Sequence, residues 1–329
     1  MKRYFFLLLS LTLFLAACGS GDDTSSEAAE ASDEAAAPEA DSTDEAESAD
    51  DTEAAEATAD FAGPLVIGAI PDQDPEVLAR NYDLVANYLA GELGIDVQFE
   101  PVTEYEAAVT AFRVGDLDLV WFGGLTGVQA RLQVDGAEAI AQRDIDEQFT
   151  SVFIASTDSG IDPISSVDEL EVVSGRTLTF GSDSSTSGRL MPQSFLSDAG
   201  VALEDLNGEP GFSGSHDATI ELVEAGTFEV GALNSQVWDA RVEAGEVDLD
   251  RVQVIFETPA YFDYHWVARA ELGGDLQSAV VAALKNLDPD DPDHEVILEF
   301  FGAGSFIDTE SANYASIESV GREIGQIDG

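Results

Sequence analysis

Residues 179–191 read TFGSDSSTSGRLM, and six of the seven residues from Gly181 to Ser187 are Gly, Ser or Thr. Such a loop, set between an extended apolar run and a helical one, offers closely spaced backbone N–H groups and hydroxyls, the donor set of an oxyanion cradle. Ser185, Thr186 and Ser187 are the residues that would form it. Metal binding is a second chemistry to weigh, because His216, Asp263 and His265 bring two imidazoles and a carboxylate. They have no tight ligand spacing, and DPDDPDHE at 288–295 lacks the glycine and the spacing of a calcium loop. No metal or other cofactor is expected. Hydrolysis is the third. Ser185, His216 and Asp263 match a triad in composition only, and the chain has no G-x-S-x-G, S-x-x-K, H-E-x-x-H or G-K-[ST] motif. No enzymatic activity is expected, and an extracytoplasmic hydrolase is the minor alternative.

An anion cradle needs helix starts to hold it. From residue 61 the chain alternates short β-rich runs with amphipathic helical runs: PLVIGAI (64–70), a helix over 75–94, a strand at 95–102, a helix over 104–115, LDLVWFGG (117–124) and a helix over 125–136. Strands near AEAIAQR and FTSVFIAS follow. A second unit repeats the pattern, with RTLTFGS (176–182), a helix over 188–200 that tolerates Pro192 in its first turn, and a helix over 216–226. This alternation predicts mostly parallel sheets covered by helices, in two α/β lobes. One lobe is expected to hold residues 61–158 plus 259–329 and the other 159–258, with ligand in the cleft between them. Polar or glycine-rich helix starts recur at Gln73–Asp74, Gly123–Gly124, Ser184–Ser187 and Ser215–His216, each after a strand end, where α/β sheets bind ligands.

The beginning of the chain predicts an address. Lys2 and Arg3 precede the apolar run YFFLLLSLTLFLAA, which ends at LAAC with Cys18, the single cysteine. This pattern is that of a secretory signal (1–18) with a bacterial lipobox, so Cys18 is the expected lipidation site and the protein an extracytoplasmic, membrane-anchored one. Residues 19–60 hold 16 acidic residues, no basic ones and no aromatics. They are expected to form a disordered, extended tether. From 61 onward 50 acidic residues still face 11 basic ones. That balance excludes nonspecific binding to nucleic acid or anionic membrane, suits a salty medium, and leaves anion binding to local donors.

The segments GPLVIGAIPDQDPEVL, DLDLVWFGGLTGVQAR, TFGSDSSTSGRLMP, GFSGSHDATIELVEAG, VGALNSQVWDAR and TPAYFDYHWVARAEL together resemble substrate-binding proteins of phosphate, phosphite and phosphonate ABC transporters. IPDQD, WFGGLTGVQAR and STSGRLMP are most similar to a branch associated with selenate transport. The resemblance implies the two-lobed periplasmic-binding-protein fold of type II, closing on its ligand by hinge motion. It also implies capture of a small tetrahedral oxyanion and delivery to a permease and its ATPase. A ligand-sensing partner of a membrane receptor is the alternative. On this resemblance Ser185, Thr186, Ser187, His216, Asp263, Gln73 and Asn234 are ligand-binding residues, and Phe122 is an apolar wall where many relatives carry tyrosine. Asp263 beside an oxyanion would favour a protonated ligand over fully ionised selenate. Neutral Gln236 offers no carboxylate for a ligand amine, which disfavours aminoalkylphosphonates.

Overall fold

The computed structural model describes Phe61 and residues 63–328. The expected signal segment, Cys18 and the tether over 19–60 lie outside the described residues. The chain begins with β1 (Leu65–Ala69), α1 (Pro75–Leu93), β2 (Val97–Phe99), α2 (Tyr105–Val114), β3 (Leu119–Phe122), α3 (Gly124–Gln133) and β4 (Glu138–Arg143). α1 shows why these helices form. The Asp74 side chain accepts from the N–H groups of Glu76 and Val77, Pro75 occupies the first turn, and Gly94 closes the helix at φ +65°. Its buried residues Leu78, Tyr82, Val85, Ala86, Leu89 and Leu93 fall on one helical face.

Next come β5 (Ser151–Ser156), β6 (Leu178–Phe180), a π-helical turn over Thr186–Leu190, and α4 (Met191–Asp198). β7 (Gly211–Phe212), α5 (His216–Glu224), β8 (Val230–Asn234), α6 (Ser235–Glu243) and β9 (Val252–Glu257) complete the second lobe. β10 (His265–Ala268), α7 (Gly273–Lys285), α8 (Pro292–Phe301), β11 (Phe306–Asp308) and α9 (Ala315–Ile324) return to the first. The two sheets run β11-β4-β10-β3-β1-β2 and β7-β6-β8-β5-β9.

Two expectations are corrected. The first crossing was expected at residue 158, but β5 pairs antiparallel with β8 and β9, so the chain changes lobe between β4 and β5. All six residues of β5 are buried in the middle of the second sheet. An apolar run of this kind carries no mark of which sheet will take it. The sheets are also mixed, not mostly parallel. β1, β2 and β3 are parallel, whereas β10 enters antiparallel to β3 and β4, as β5 does between β8 and β9.

The two crossing segments pair with each other and form the hinge. Phe149 N–H donates to the Tyr261 carbonyl at 3.0 Å, Tyr261 N–H donates back at 2.9 Å, and Asp263 N–H donates to the Asp146 carbonyl at 3.2 Å. One hydrophobic core fills the first lobe. Two smaller cores cover opposite faces of the second sheet, so that alternate residues of β5 (Phe153 and Ala155, then Val152 and Ile154) enter different ones.

α3 lies against β10 so closely that a Cβ at Gly127 would stand 2.3 Å from His265 Nε2. His265 has no room to yield, because its ring stacks on Tyr314 at 3.7 Å. Gly127→Ala is expected to cost about 1–3 kcal/mol through overpacking, read as a lowered midpoint in urea denaturation.

Candidate functional site

Five loops that follow strand ends converge on the interlobe cleft: Asp72–Asp74 after β1, Gly123–Leu125 after β3, Ser184–Ser187 after β6, Ser215–His216 after β7, and Asn234 at the end of β8. Helix starts carry unpaired N–H groups, so their convergence concentrates donors without any formal positive charge. The hinge adds Asp263 and Tyr264 immediately before β10. Ser185, Thr186, Ser187, His216, Asn234, Asp263 and Tyr264 are all buried.

The Ser185–Ser187 segment owes its shape to a wide turn. Leu190 N–H reaches back to the Ser185 carbonyl at 2.9 Å, and the Ser185 hydroxyl accepts from Gly188 N–H at 2.9 Å. Only glycine fits at 188, where a Cβ would lie 2.9 Å from Ser185 Oγ and 3.2 Å from both Gly181 Cα and His216 Cε1. The turn is bonded to the other lobe as well. Leu125 N–H donates to Thr186 Oγ1 at 2.9 Å, and Gly124 N–H donates to Asp263 Oδ1 at 2.8 Å. A second-lobe hydroxyl and a hinge carboxyl thus meet at the same first-lobe helix start. Below Ser187, the Ser151 hydroxyl donates to the Ser187 carbonyl at 2.7 Å and lies 2.5 Å from Tyr261 Oη.

A second network runs through Tyr264. Its hydroxyl donates to Asp72 Oδ2 at 2.8 Å and accepts from Asn234 Nδ2–H at 3.2 Å. Asn234 N–H points at His216 Nδ1 at 3.4 Å, which leaves the imidazole proton on Nε2, 3.3 Å from Tyr264 Oη. The single ring N–H of His216 is therefore directed at Tyr264. Burial pushes the His216 imidazole down to about 3, so it is neutral across physiological pH.

Two buried polar atoms of this cleft have no hydrogen-bond partner: Tyr105 Oη at the first residue of α2, and Asp263 Oδ2. Burial pushes the Tyr105 hydroxyl well above the usual tyrosine range, and the carboxyls of Asp72, Asp263 and Asp217 add to the rise while the Ser185 side chain opposes it. Burial raises the Asp263 carboxyl to about 7; the Gly124 N–H opposes the rise and Asp146 adds to it. Burial also raises Asp72, to about 6, against the Tyr264 hydrogen bond and the charge of Arg143. These carboxyls hold protons at a pH where ordinary ones do not.

Seven of the eight expected ligand residues thus lie around the cleft. Gln73 is half-buried beside Asp72, and together they border a small cavity. Phe122 differs. Its ring packs edge-on against Phe112 inside the first lobe, and the neighbouring Trp121 is the β3 residue that stacks on Tyr264. All four residues of β3 are buried, so the strand gives no inward or outward signal in the sequence. Sequence reasoning missed Asp72, Tyr105, Tyr264 and Arg143. Asp72 and Tyr264 adjoin residues that were singled out, and Tyr105 opens a helix, so the strand-end rule was the available signal.

The family described as ABC transporter, phosphonate, periplasmic substrate-binding protein matches residues 67–314. The chain belongs to that family. A probable ABC transporter phosphite binding protein, PhnD1 of Prochlorococcus marinus (strain MIT 9301), is 45% identical over 274 residues, 81% of this chain and 92% of the relative. The solved structure of PhnD1 in complex with methylphosphonate superposes with a TM-score of 0.78, covering 80% of this chain and 99% of that one. A binding protein component of an ABC phosphonate transporter from Pseudomonas aeruginosa shares the fold at 17% identity, with a TM-score of 0.69 over 78% of this chain and 85% of that one. The two-lobed α/β architecture is therefore that of periplasmic binding proteins, and the family member described here is the extracytoplasmic substrate-binding component of an ABC transporter.

The raised Asp263 carboxyl has a measurable consequence. Between about pH 4 and pH 7 the unfolded chain releases this proton while the folded one keeps it, so stability falls as pH rises, by up to about 1.4 kcal/mol per pH unit. Below that window both states hold the proton, and above it neither does. Asp263→Asn is expected to gain stability relative to the parent from pH 4 to pH 7 in denaturant titrations. Parallel stability curves would show that Asp263 is ionised when buried.

Proposed function

We propose that this protein captures a small, proton-bearing phosphorus oxyanion, hydrogen phosphite or hydrogen methylphosphonate, and delivers it to an ABC permease and its ATPase. On this reading the mature chain is held at the outer face of the membrane by lipid on Cys18, with residues 19–60 as a spacer, and it breaks no bond in its ligand. The observation that carries the reading is the orphaned Asp263 Oδ2, buried with Tyr105 Oη beside the Ser185–Ser187 turn. The relative bound to methylphosphonate supports the same ligand class.

The proton distinguishes the candidates. A carboxyl and an oxyanion buried side by side share one proton, because two adjacent desolvated negative charges repel strongly. A hydrogen phosphonate brings that proton with it. Selenate and sulfate have none, so Asp263 must enter the complex protonated, which becomes harder as pH rises past about 7. Hydroxyls and N–H groups of the Ser185–Ser187 turn then bind the remaining oxygens by charge-assisted hydrogen bonds. Tyr105 would supply one more donor.

Calorimetry with phosphite, methylphosphonate, phosphate, selenate and sulfate from pH 6 to pH 9 tests this. Selenate and sulfate affinity is expected to drop about tenfold per pH unit above pH 7, and Asp263→Asn to remove that slope. Binding of none of the five ions would refute the oxyanion assignment. Thr186→Ala combined with Ser187→Ala is expected to weaken binding at least about tenfold, since each charge-assisted bond contributes about 1.5–3 kcal/mol. Unchanged affinity would locate the ligand elsewhere.

A further inference from the structure

Gln236 stands two residues after Asn234 on α6, and its side chain leaves the second lobe for the first. Arg143, the last residue of β4, donates through Nη1–H to Gln236 Oε1 at 2.5 Å and to the Phe301 carbonyl at 2.6 Å. Gln236 Nε2–H donates to the same Phe301 carbonyl at 2.7 Å. The contact needs Gly302, because a Cβ there would lie 1.7 Å from Gln236 Nε2 and the backbone stands at φ +60°.

Arg143 is itself held by the hinge. Its backbone N–H and Nε–H both donate to Asp146 Oδ2 at 2.9 Å, and Nη2–H donates to Asp146 Oδ1 at 2.7 Å. Burial works against both charges: it pushes the Asp146 carboxyl up in spite of Arg143, while on the guanidinium side the Asp146 pairing outweighs burial and holds Arg143 charged. The guanidinium also lies over the rings of Tyr264 at 4.8 Å, Phe149 at 5.3 Å and Trp121 at 5.5 Å. First-lobe sheet, hinge and second-lobe helix thus meet on one cation. A small cavity lies beside Gln236, bordered also by Asp72, Asn234, Tyr264 and Phe301. Both ends of the Gln236 amide are thus engaged by first-lobe groups.

We propose that Gln236 is a positioning residue for ligand capture: with Arg143 and Phe301 it clasps the second lobe to the first, and so sets how long a bound oxyanion stays without touching it. The ligand half of this statement rests on the oxyanion reading above. The clasp itself does not, since it concerns contacts between the lobes. Among the described residues other hydrogen bonds cross the cleft and depend on the same closure: Leu125 N–H to Thr186, His216 N–H to the Asp72 carbonyl at 3.0 Å, Asp74 N–H to Asp217 Oδ2 at 2.8 Å, and the Ser184 hydroxyl to Glu106 Oε1 at 3.4 Å.

Two variants of the full chain test the clasp. Gln236→Met keeps the length of the side chain and removes both hydrogen bonds. Gln236→Glu keeps the acceptor for Arg143 and loses the donor to Phe301. Stopped-flow tryptophan fluorescence with methylphosphonate is expected to show dissociation about tenfold faster for Gln236→Met, a smaller acceleration for Gln236→Glu, and unchanged association in both. Hydrogen exchange, which needs no ligand, is expected to be faster for the amides of Asp74, Leu125 and His216 in Gln236→Met, with the β3 amides unaffected. If the parent binds no oxyanion, the functional reading fails by itself and exchange still judges the clasp. Equal dissociation rates, or equal exchange at those three amides in parent and variant, would overturn it.

Discussion

A small anion leaves water at a heavy cost unless its lone pairs find donors, and a domain with 50 acidic against 11 basic residues has few cations to supply them. Arg143 is buried behind Tyr264, and its charge is already met by Asp146. The cleft therefore relies on dipoles. Helix starts from both sheets direct N–H groups inward, and hydroxyls of the Ser185–Ser187 turn fill the gaps. Two carboxyls sit in the same cleft, and burial resolves the conflict by raising them until they hold protons. On the proposed reading the anion site is assembled from neutral parts, and the count of protons becomes part of recognition.

That arrangement depends on the way the chain crosses between lobes. β5 and β10 each enter a sheet as an inserted antiparallel strand, and the segments leading to them pair through Phe149 and Tyr261. Asp263 and Tyr264 occupy the end of this ribbon, so hinge and site share residues. Asp146 accepts from Arg143 on one side, while its carbonyl accepts the Asp263 N–H on the other. A change in hinge angle cannot leave Asp263 where it was. Asp263 thus bonds the hinge through its N–H and the first-lobe helix start through its carboxyl.

The strand and helix order, the glycine-capped helix ends and the serine-rich turn were legible because each is local. Capping, periodicity and φ preferences act within a few residues. What failed to show was pairing. SVFIAS reads as a strand, yet its place in the second sheet follows from neighbours some 80 and 100 residues away, Val230–Asn234 and Val252–Glu257. Phe122 and Trp121 are adjacent in a wholly buried strand, and only the packing of Phe112 and Tyr264 decides which faces the cleft. Tyr105 and Arg143 belong to the site through tertiary convergence alone. Gly302 both ends the helix Pro292–Phe301 and leaves room for Gln236, a second role that no local pattern marks.

The acidic surface and the neutral site act on different steps. Charges more than about 8–10 Å apart are largely screened at physiological ionic strength and almost wholly so in brine. The surface carboxylates therefore govern how often an anion arrives, most strongly in dilute medium. Once inside, the ion meets fixed donors within hydrogen-bond distance, where salt screens little. On the proposed clasp its escape requires the lobes to part, and of the bonds that would resist parting those at Gln236 and Thr186 are withdrawn from bulk ions while that at Asp217 is exposed. A salty habitat would relieve the repulsion at entry and leave retention nearly untouched. Such a protein can afford its acidity without giving up its ligand.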